Sequence, residues 1–214
     1  MRLAILATEE QKNEIITKKI VEKETTLVFI KNIFEIKNYS EFDAFFLLTE
    51  MVPSLEPEAV GGKPVVINSV INTLESAELP SNFSRTIGWP GFLKREIWEI
   101  ASNSKTATEE LFGRLGWGAV FVKDEPGFVA ARILSMIINE AYFTIGESVS
   151  TINEIDLAMK YGTNYPLGPF EWEAVIGIEN IYLLLKKLSD TNNRYAIAPL
   201  LEEKFKEFTR SQLQ

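Results

Sequence analysis

The sequence predicts an α/β domain followed by an all-helical domain, divided as residues 1–123 and 124–214. Two observations carry this. Over the first half, short apolar runs alternate with a helical stretch, the β-α-β spacing that opens a doubly wound parallel sheet. From Asp124 onward, apolar residues recur at helical spacing and the segments are bracketed by helix start and stop signals.

In chain order, residues 3–7 read as the first strand, 12–21 as a helix and 25–30, β-branched and aromatic, as the second strand. Residues 42–49 and 63–68 are continuous apolar runs between turn formers, as buried parallel strands are. Only residues 31–41 separate the strands at 25–30 and 42–49. Residues 106–115 suit a helix capped by Thr106 and ended by Gly116, and 117–122 the last strand. Asp124 and Glu125 put negative charge at a helix entrance, and Pro126 suits the first helical position, so a helix is expected from there. Thr151 and Glu154 fit a capping box, and Gly162 is expected to close that second helix in a left-handed conformation. Apolar stripes through Phe128, Ile133, Met136, Ile137 and Phe143, through Ile178, Ile181, Tyr182, Leu185 and Leu188, and through Leu200, Leu201, Phe205 and Phe208 are expected mostly in the core.

Composition excludes several functions. Thirty acidic residues outnumber 22 basic ones, giving a net charge of −8 with the signs interspersed, which argues against a nucleic-acid partner. The chain has no cysteine and no histidine. That removes disulfides, thiolate nucleophiles, the commonest metal ligands and the commonest general base near neutral pH, so no metal site is expected. No apolar run approaches the roughly 20 residues that span a bilayer, and the N-terminus lacks a small-residue cleavage site, so no membrane association and a cytoplasmic location are expected.

Several motifs of the second half occur in a telling order. They are Asp124-x-Pro126-Gly127-Phe128-x-x-x-Arg132, Asn139-Glu140-Ala141, Ile155-Asp156-x-Ala158-Met159 and the run from Tyr165 to Glu171. Together they resemble the start of the C-terminal domain of the 3-hydroxyacyl-CoA dehydrogenases of fatty-acid β-oxidation. The resemblance implies a truncated Rossmann-like NAD-binding domain. It also implies a helical domain similar to that of 6-phosphogluconate dehydrogenase, through which residues 124–214 would form a homodimer.

Against that resemblance the chain departs at each place where the family does chemistry. The stretch from Thr8 to Asn13 holds Glu9 and Glu10 and no glycine, where a dinucleotide fold needs G-x-G-x-x-G to approach a pyrophosphate. Arg85-Thr86-Ile87-Gly88-Trp89-Pro90 is similar to the family's Arg-x-Ile-Gly-x-His, with Pro90 at the place of the histidine base. Glu99 resembles the glutamate that orients that base, and is otherwise a solvated carboxylate. Ala131 stands where the family has a substrate-binding asparagine, and Ala174 where it has an acid after the Tyr165–Glu171 run. Asn72 and Thr73, with Asn68 and Ser69, either contact a substrate or finish a turn. Lys94 and Arg95, with Lys105 further on, are the candidates for a basic rim that would meet CoA phosphates.

Three functions are consistent with these residues. One is a non-catalytic relative without NAD that dimerises and retains acyl-CoA or partner binding. A second is an active NAD-dependent dehydrogenase with an atypical site, in which Glu99 serves as base at a pKa raised by burial. The third is a scaffolding subunit without a small-molecule ligand.

Overall fold

Strand β1 (Arg2–Leu6) sets the pattern of the first half: Leu3 and Ile5 enter one core cluster, Ala4 and Leu6 another, and all four are buried. A strand turns successive side chains to opposite faces, so a continuous apolar run requires cover on both. The computed structural model describes residues 1–49 and 57–212 and divides into two compact units, Met1–Phe128 and Val129–Gln214. Strands β2 (Thr26–Ile30), β3 (Ala44–Leu47), β4 (Val65–Asn68), β5 (Phe83–Thr86), β6 (Ile97–Ser102) and β7 (Gly118–Phe121) complete the first unit's sheet. Among the described residues it has seven strands in the order β2-β1-β3-β4-β5-β6-β7. Strands β1 to β5 are mutually parallel, β6 opposes β5, and β7 runs with β6. The winding reverses between β1 and β3, which is where open α/β sheets place a ligand crevice.

The two faces are covered differently. Helices α1 (Glu9–Ile16) and α2 (Lys105–Leu115) bring Ile15, Leu111, Phe112 and Leu115 onto the face of Leu3, Ile5 and Phe46. There Phe46, Trp98, Phe112 and Trp117 form an aromatic group with ring centroids 5.3 to 6.4 Å apart. On the other face, Ile33, Ile36 and Val60 from two 3-10 turns, Ile33–Tyr39 and Pro57–Val60, cover Ala4, Phe45, Val65 and Ile67. The short connection of residues 31–41 therefore supplies a 3-10 turn where a full βαβ crossover would supply a helix, and the Rossmann-like sheet is pruned on that side.

Several element ends differ from expectation for identifiable reasons. Helix α1 starts earlier than residue 12 because Thr8 caps it, and stops before 21 because Val21 and Glu22 donate their N–H groups to Leu115 and Arg114. Helix α2 is entered from Ser104, so Thr106 lies inside it, while Gly116 closes it in the left-handed region at φ 72° as expected. Strand β5 was not legible as an apolar run because Ser84, Arg85 and Thr86 are polar, yet all three are buried.

The second unit comprises α3 (Ala130–Gly146), α4 (Ile152–Thr163), α5 (Pro169–Ile176), α6 (Ile178–Ser189) and α7 (Pro199–Gln212). Helix α3 does not begin at Pro126. Gly127 and Phe128 adopt φ of 82° and 51°, and two successive left-handed residues cannot belong to a right-handed helix. The core stripe of α3 is also displaced by one residue. Leu134, Ile138 and Tyr142 are buried, whereas Ile133 is 53% exposed and Met136, Ile137 and Phe143 are half-buried. The shift follows from Asn139, whose amide donates to the Ala196 carbonyl and accepts from the Ala198 N–H, both at 2.9 Å, holding a polar residue on the core side. Ile181, Leu185 and Leu188 of α6 and Leu201 of α7 are buried as expected, and Tyr182 stacks on Phe205 at 3.9 Å. Among the described residues no helix is long and apolar enough to cross a membrane.

Helix α4 opens on the Thr151–Glu154 capping box and closes on Asn164 at φ 56°, with Gly162 inside the helix. Asparagine tolerates that conformation, so the glycine is not needed for it. The turn that follows is fixed by Asp156, whose carboxylate accepts the Phe170 N–H at 2.9 Å. A Cβ built on Gly168 would meet the Asp156 carboxyl at 2.2 Å, so this glycine is required for close approach. Gly168→Ala is expected to destabilise the protein by about 1–3 kcal/mol through overpacking, read from the urea midpoint at constant slope.

Candidate functional site

The crevice at the carboxyl ends of β1 and β3 is filled by the chain itself. Thr8 caps α1: its hydroxyl accepts the Gln11 N–H at 3.2 Å and its own N–H donates to the Gln11 side-chain oxygen at 2.9 Å. The same Gln11 amide then donates to the carbonyls of Leu48, at 2.6 Å, and Gly88, at 2.8 Å. Gln11 is only 5% exposed and so joins the end of β1, the residue after β3 and the loop after β5. A dinucleotide pyrophosphate needs open N–H groups and a glycine approach at such a helix start. Here Thr8 engages a first-turn N–H, Gln11 occupies the crevice, and Glu9 and Glu10 are exposed in the same turn. These residues do not fit a dinucleotide.

The loop after β5 is equally self-contained. Glu14 of α1 accepts the N–H groups of Gly91 at 2.5 Å and Lys94 at 3.0 Å, and Asn68 accepts that of Gly88 at 2.8 Å. Trp89 and Phe92 are buried and pack edge to face at 6.1 Å, with Arg95 over the Phe92 ring at 3.8 Å. Pro90 lies half-buried within this loop. Glu99 is half-buried on β6, and its backbone carbonyl accepts the Thr86 hydroxyl at 3.0 Å. Burial lowers the Arg95 guanidinium from its usual range, and the carboxylates of Glu99 and Glu14 oppose that shift.

A second cluster is built on Arg85, which is fully buried on β5. Its guanidinium pairs with Asp124, donates to the Ser69 carbonyl at 2.9 Å and the Glu125 carbonyl at 2.6 Å, and lies 4.2 Å from the Phe128 ring centroid. Asp124 also accepts the N–H groups of Leu74 at 2.8 Å and Glu75 at 3.3 Å. Burial lowers the Arg85 pKa, and Asp124 and Glu125 counter it. The acidic residue read as a helix entrance is thus spent on a partner 39 positions away. The left-handed Phe128 is held by the cation it covers.

Of the remaining candidates, Asn72, Thr73, Lys94 and Arg95 lie in turns that follow neighbouring strands. Asn72 and Thr73 follow β4 in a hydroxyl-closed turn: Ser69 donates to the Asn72 carbonyl at 2.7 Å, and Thr73 and Ser76 exchange N–H to hydroxyl bonds at 2.9 and 3.0 Å. Lys94 and Arg95 follow β5, which neighbours β4, whereas Lys105 belongs to α2 with its ammonium 5.1 Å from the Phe121 ring. Ala131 belongs to the second unit, where it is fully buried on α3. Among the described residues no three His, Cys, Asp or Glu side chains are grouped to hold a metal ion. No motif or spacing marks Gln11 or Glu14, whose partners lie as much as 77 and 80 residues on.

Removing the cation of a buried pair leaves its acidic partner and two carbonyls unsatisfied. Arg85→Met is therefore expected to lower stability by about 3–5 kcal/mol, measured by denaturant unfolding. Lys94→Met, at an exposed side chain, should change it by less than about 0.5 kcal/mol.

Comparison with known proteins agrees with this architecture. Residues 127–212 match the family model for the 3-hydroxyacyl-CoA dehydrogenase C-terminal domain. The chain is 27% identical over 205 residues to a 3-hydroxybutyryl-CoA dehydrogenase of Bradyrhizobium diazoefficiens, covering 92% of this chain and 70% of that one. It is 34% identical over 108 residues to a probable 3-hydroxybutyryl-CoA dehydrogenase of Bacillus subtilis, covering 49% of this chain but only 38% of the relative. A crystal structure of (S)-3-hydroxybutyryl-CoA dehydrogenase from Ralstonia eutropha shares the fold, with a TM-score of 0.68 at 18% identity over 94% of this chain and 92% of that chain. The second unit thus matches the C-terminal domain of the 3-hydroxyacyl-CoA dehydrogenases, and the chain as a whole is similar to members of that family.

Proposed function

We propose that this chain is a 3-hydroxyacyl-CoA dehydrogenase-like protein that does not transfer hydride and acts through self-association and retained acyl-CoA recognition. The observation that carries the reading is Gln11, whose buried amide bridges Leu48 and Gly88 in the crevice where a dinucleotide would approach. Pro90 at the place of the family's base, and Ala131 at that of its substrate asparagine, add to it. A missing general base costs about 10²–10⁴-fold in rate and a missing oriented donor about 3 kcal/mol of barrier.

Calorimetric titration with NADH is expected to give no saturable heat, and acetoacetyl-CoA with NADH no turnover above buffer, while acetoacetyl-CoA alone binds. Saturable NADH binding accompanied by turnover would overturn the proposal and direct attention to Glu99.

Self-association is supported by apolar side chains that the chain leaves uncovered in its helical unit. Val129 and Ile133 at the start of α3 are 52% and 53% exposed, and Leu157 and Tyr161 of α4 are 49% and 84% exposed. Within each pair the residues lie four apart and so share a helix face, and exposed apolar residues that are contiguous suit an interaction surface. Light scattering at micromolar concentration should report a dimer and Ile133→Glu a monomer; a monomeric parent protein would remove this part of the reading.

A further inference from the structure

We propose that the cleft between the end of α1 and the starts of β6 and β7 is an anion site that takes the phosphoryl group of a small molecule. The cleft has a volume of about 560 Å³ and is lined by Thr17, Lys18, Lys19, Lys94, Glu96 and Trp117, among others. That volume lies within the range of about 300–1,000 Å³ typical of small-molecule sites. The site is separate from the crevice at the start of α1 and holds whether or not the chain binds acyl-CoA.

Charge singles the cleft out. The chain carries a net −8, yet three lysines and one glutamate line this cleft, a local balance of +2. Lys18 is fixed in place: its ammonium donates to the Arg95 carbonyl at 2.6 Å and lies 5.4 and 5.3 Å from the ring centroids of Trp98 and Trp117. An ammonium has three donors, so this bond leaves capacity for an incoming oxygen. Glu96 is the local counter-charge to Lys18. Lys19 and Lys94 make no side-chain hydrogen bond or ion pair among the described residues, while the Lys94 backbone is anchored by Glu14 at 3.0 Å. Trp117, which also lines the cleft, carries a buried indole N–H without an acceptor among the described residues.

The ligand class follows from the donors. Lysine ammoniums are compact point charges that suit the tetrahedral oxygens of a phosphoryl group, whereas planar carboxylates are better matched by the guanidinium fork. The competing account is that Lys18 and Lys19 merely balance the negative end of the α1 dipole, and it predicts no binding.

The test is a titration of the full chain with inorganic pyrophosphate, followed by tryptophan fluorescence and calorimetry, with ADP and citrate as further arms. Saturable one-to-one binding is expected, stronger for pyrophosphate and ADP than for citrate, and weakened by salt at about 0.5 M. Lys19→Glu with Lys94→Glu should weaken it about tenfold or more, while Lys37→Glu, at an exposed lysine outside the cleft, leaves it unchanged. Lys19→Gln with Lys94→Gln repeats the test should charge reversal lower the melting temperature. Absence of saturable pyrophosphate binding, citrate bound as tightly as pyrophosphate, or unchanged affinity in a folded double variant would overturn the proposal.

Discussion

A fully buried guanidinium is the constraint on which much of the sheet unit depends. Arg85 sits in β5 at 0% exposure, and a charge removed from water is tolerated only when its donors are met and its charge is paired. Asp124 supplies the charge, and Ser69 and Glu125 supply carbonyls. Meeting that requirement recruits the turn after β4, through Ser69, Leu74 and Glu75, and the segment after β7, through Asp124 to Phe128. The pair therefore dictates local backbone as well as energy. It draws Asp124 away from any helix-capping role, and the left-handed turn at Gly127 and Phe128 puts an aromatic ring over the cation.

The other organising group is neutral. Gln11 performs with one side chain what a dinucleotide-binding loop leaves for its ligand: it satisfies the start of α1 and spans the crevice between the ends of β1 and β3. Glu14 does the same for the loop after β5, taking the Gly91 and Lys94 N–H groups. In a fold that binds a cofactor there, part of the stability is linked to ligand occupancy. When side chains close the same gaps, the sheet is complete without a ligand, and an incoming pyrophosphate would have to displace made hydrogen bonds rather than find waiting donors.

What could be read from the sequence follows the range of the interactions involved. Strands β1 to β4 are apolar over consecutive residues, and the capping boxes at Thr151 and Gly116's closing turn are local, so pattern and spacing reveal them. Strand β5 is hidden because its buried residues are polar and are satisfied from elsewhere: Ser84 bonds Ser102 and Thr108, each at 2.7 Å, and Arg85 reaches Asp124. The displaced stripe of α3 has the same cause, since Asn139 occupies a core position that an apolar pattern assigns to its neighbours. At the candidate site the identities of Pro90, Ala131 and the glycine-free stretch after β1 were legible. The contacts of Gln11 and Glu14 were not, because their partners are 37 to 80 residues distant.

The pruning of the sheet and the closing of its crevice can be understood together. With the connection between β2 and β3 reduced to residues 31–43, one face is covered by 3-10 turns that bury Ile33, Ile36 and Val60 rather than by full helices. Thinner cover leaves less buried apolar area to offset chain entropy on that side. The compensations lie in the aromatic group of Phe46, Trp98, Phe112 and Trp117 on the opposite face and in the polar bridges of Gln11, Glu14 and Arg85 across the loops. Each bridge joins elements far apart in sequence, so it fixes tertiary arrangement rather than local conformation. A sheet stabilised in that manner commits Gln11, Glu14 and Arg85 to holding the fold.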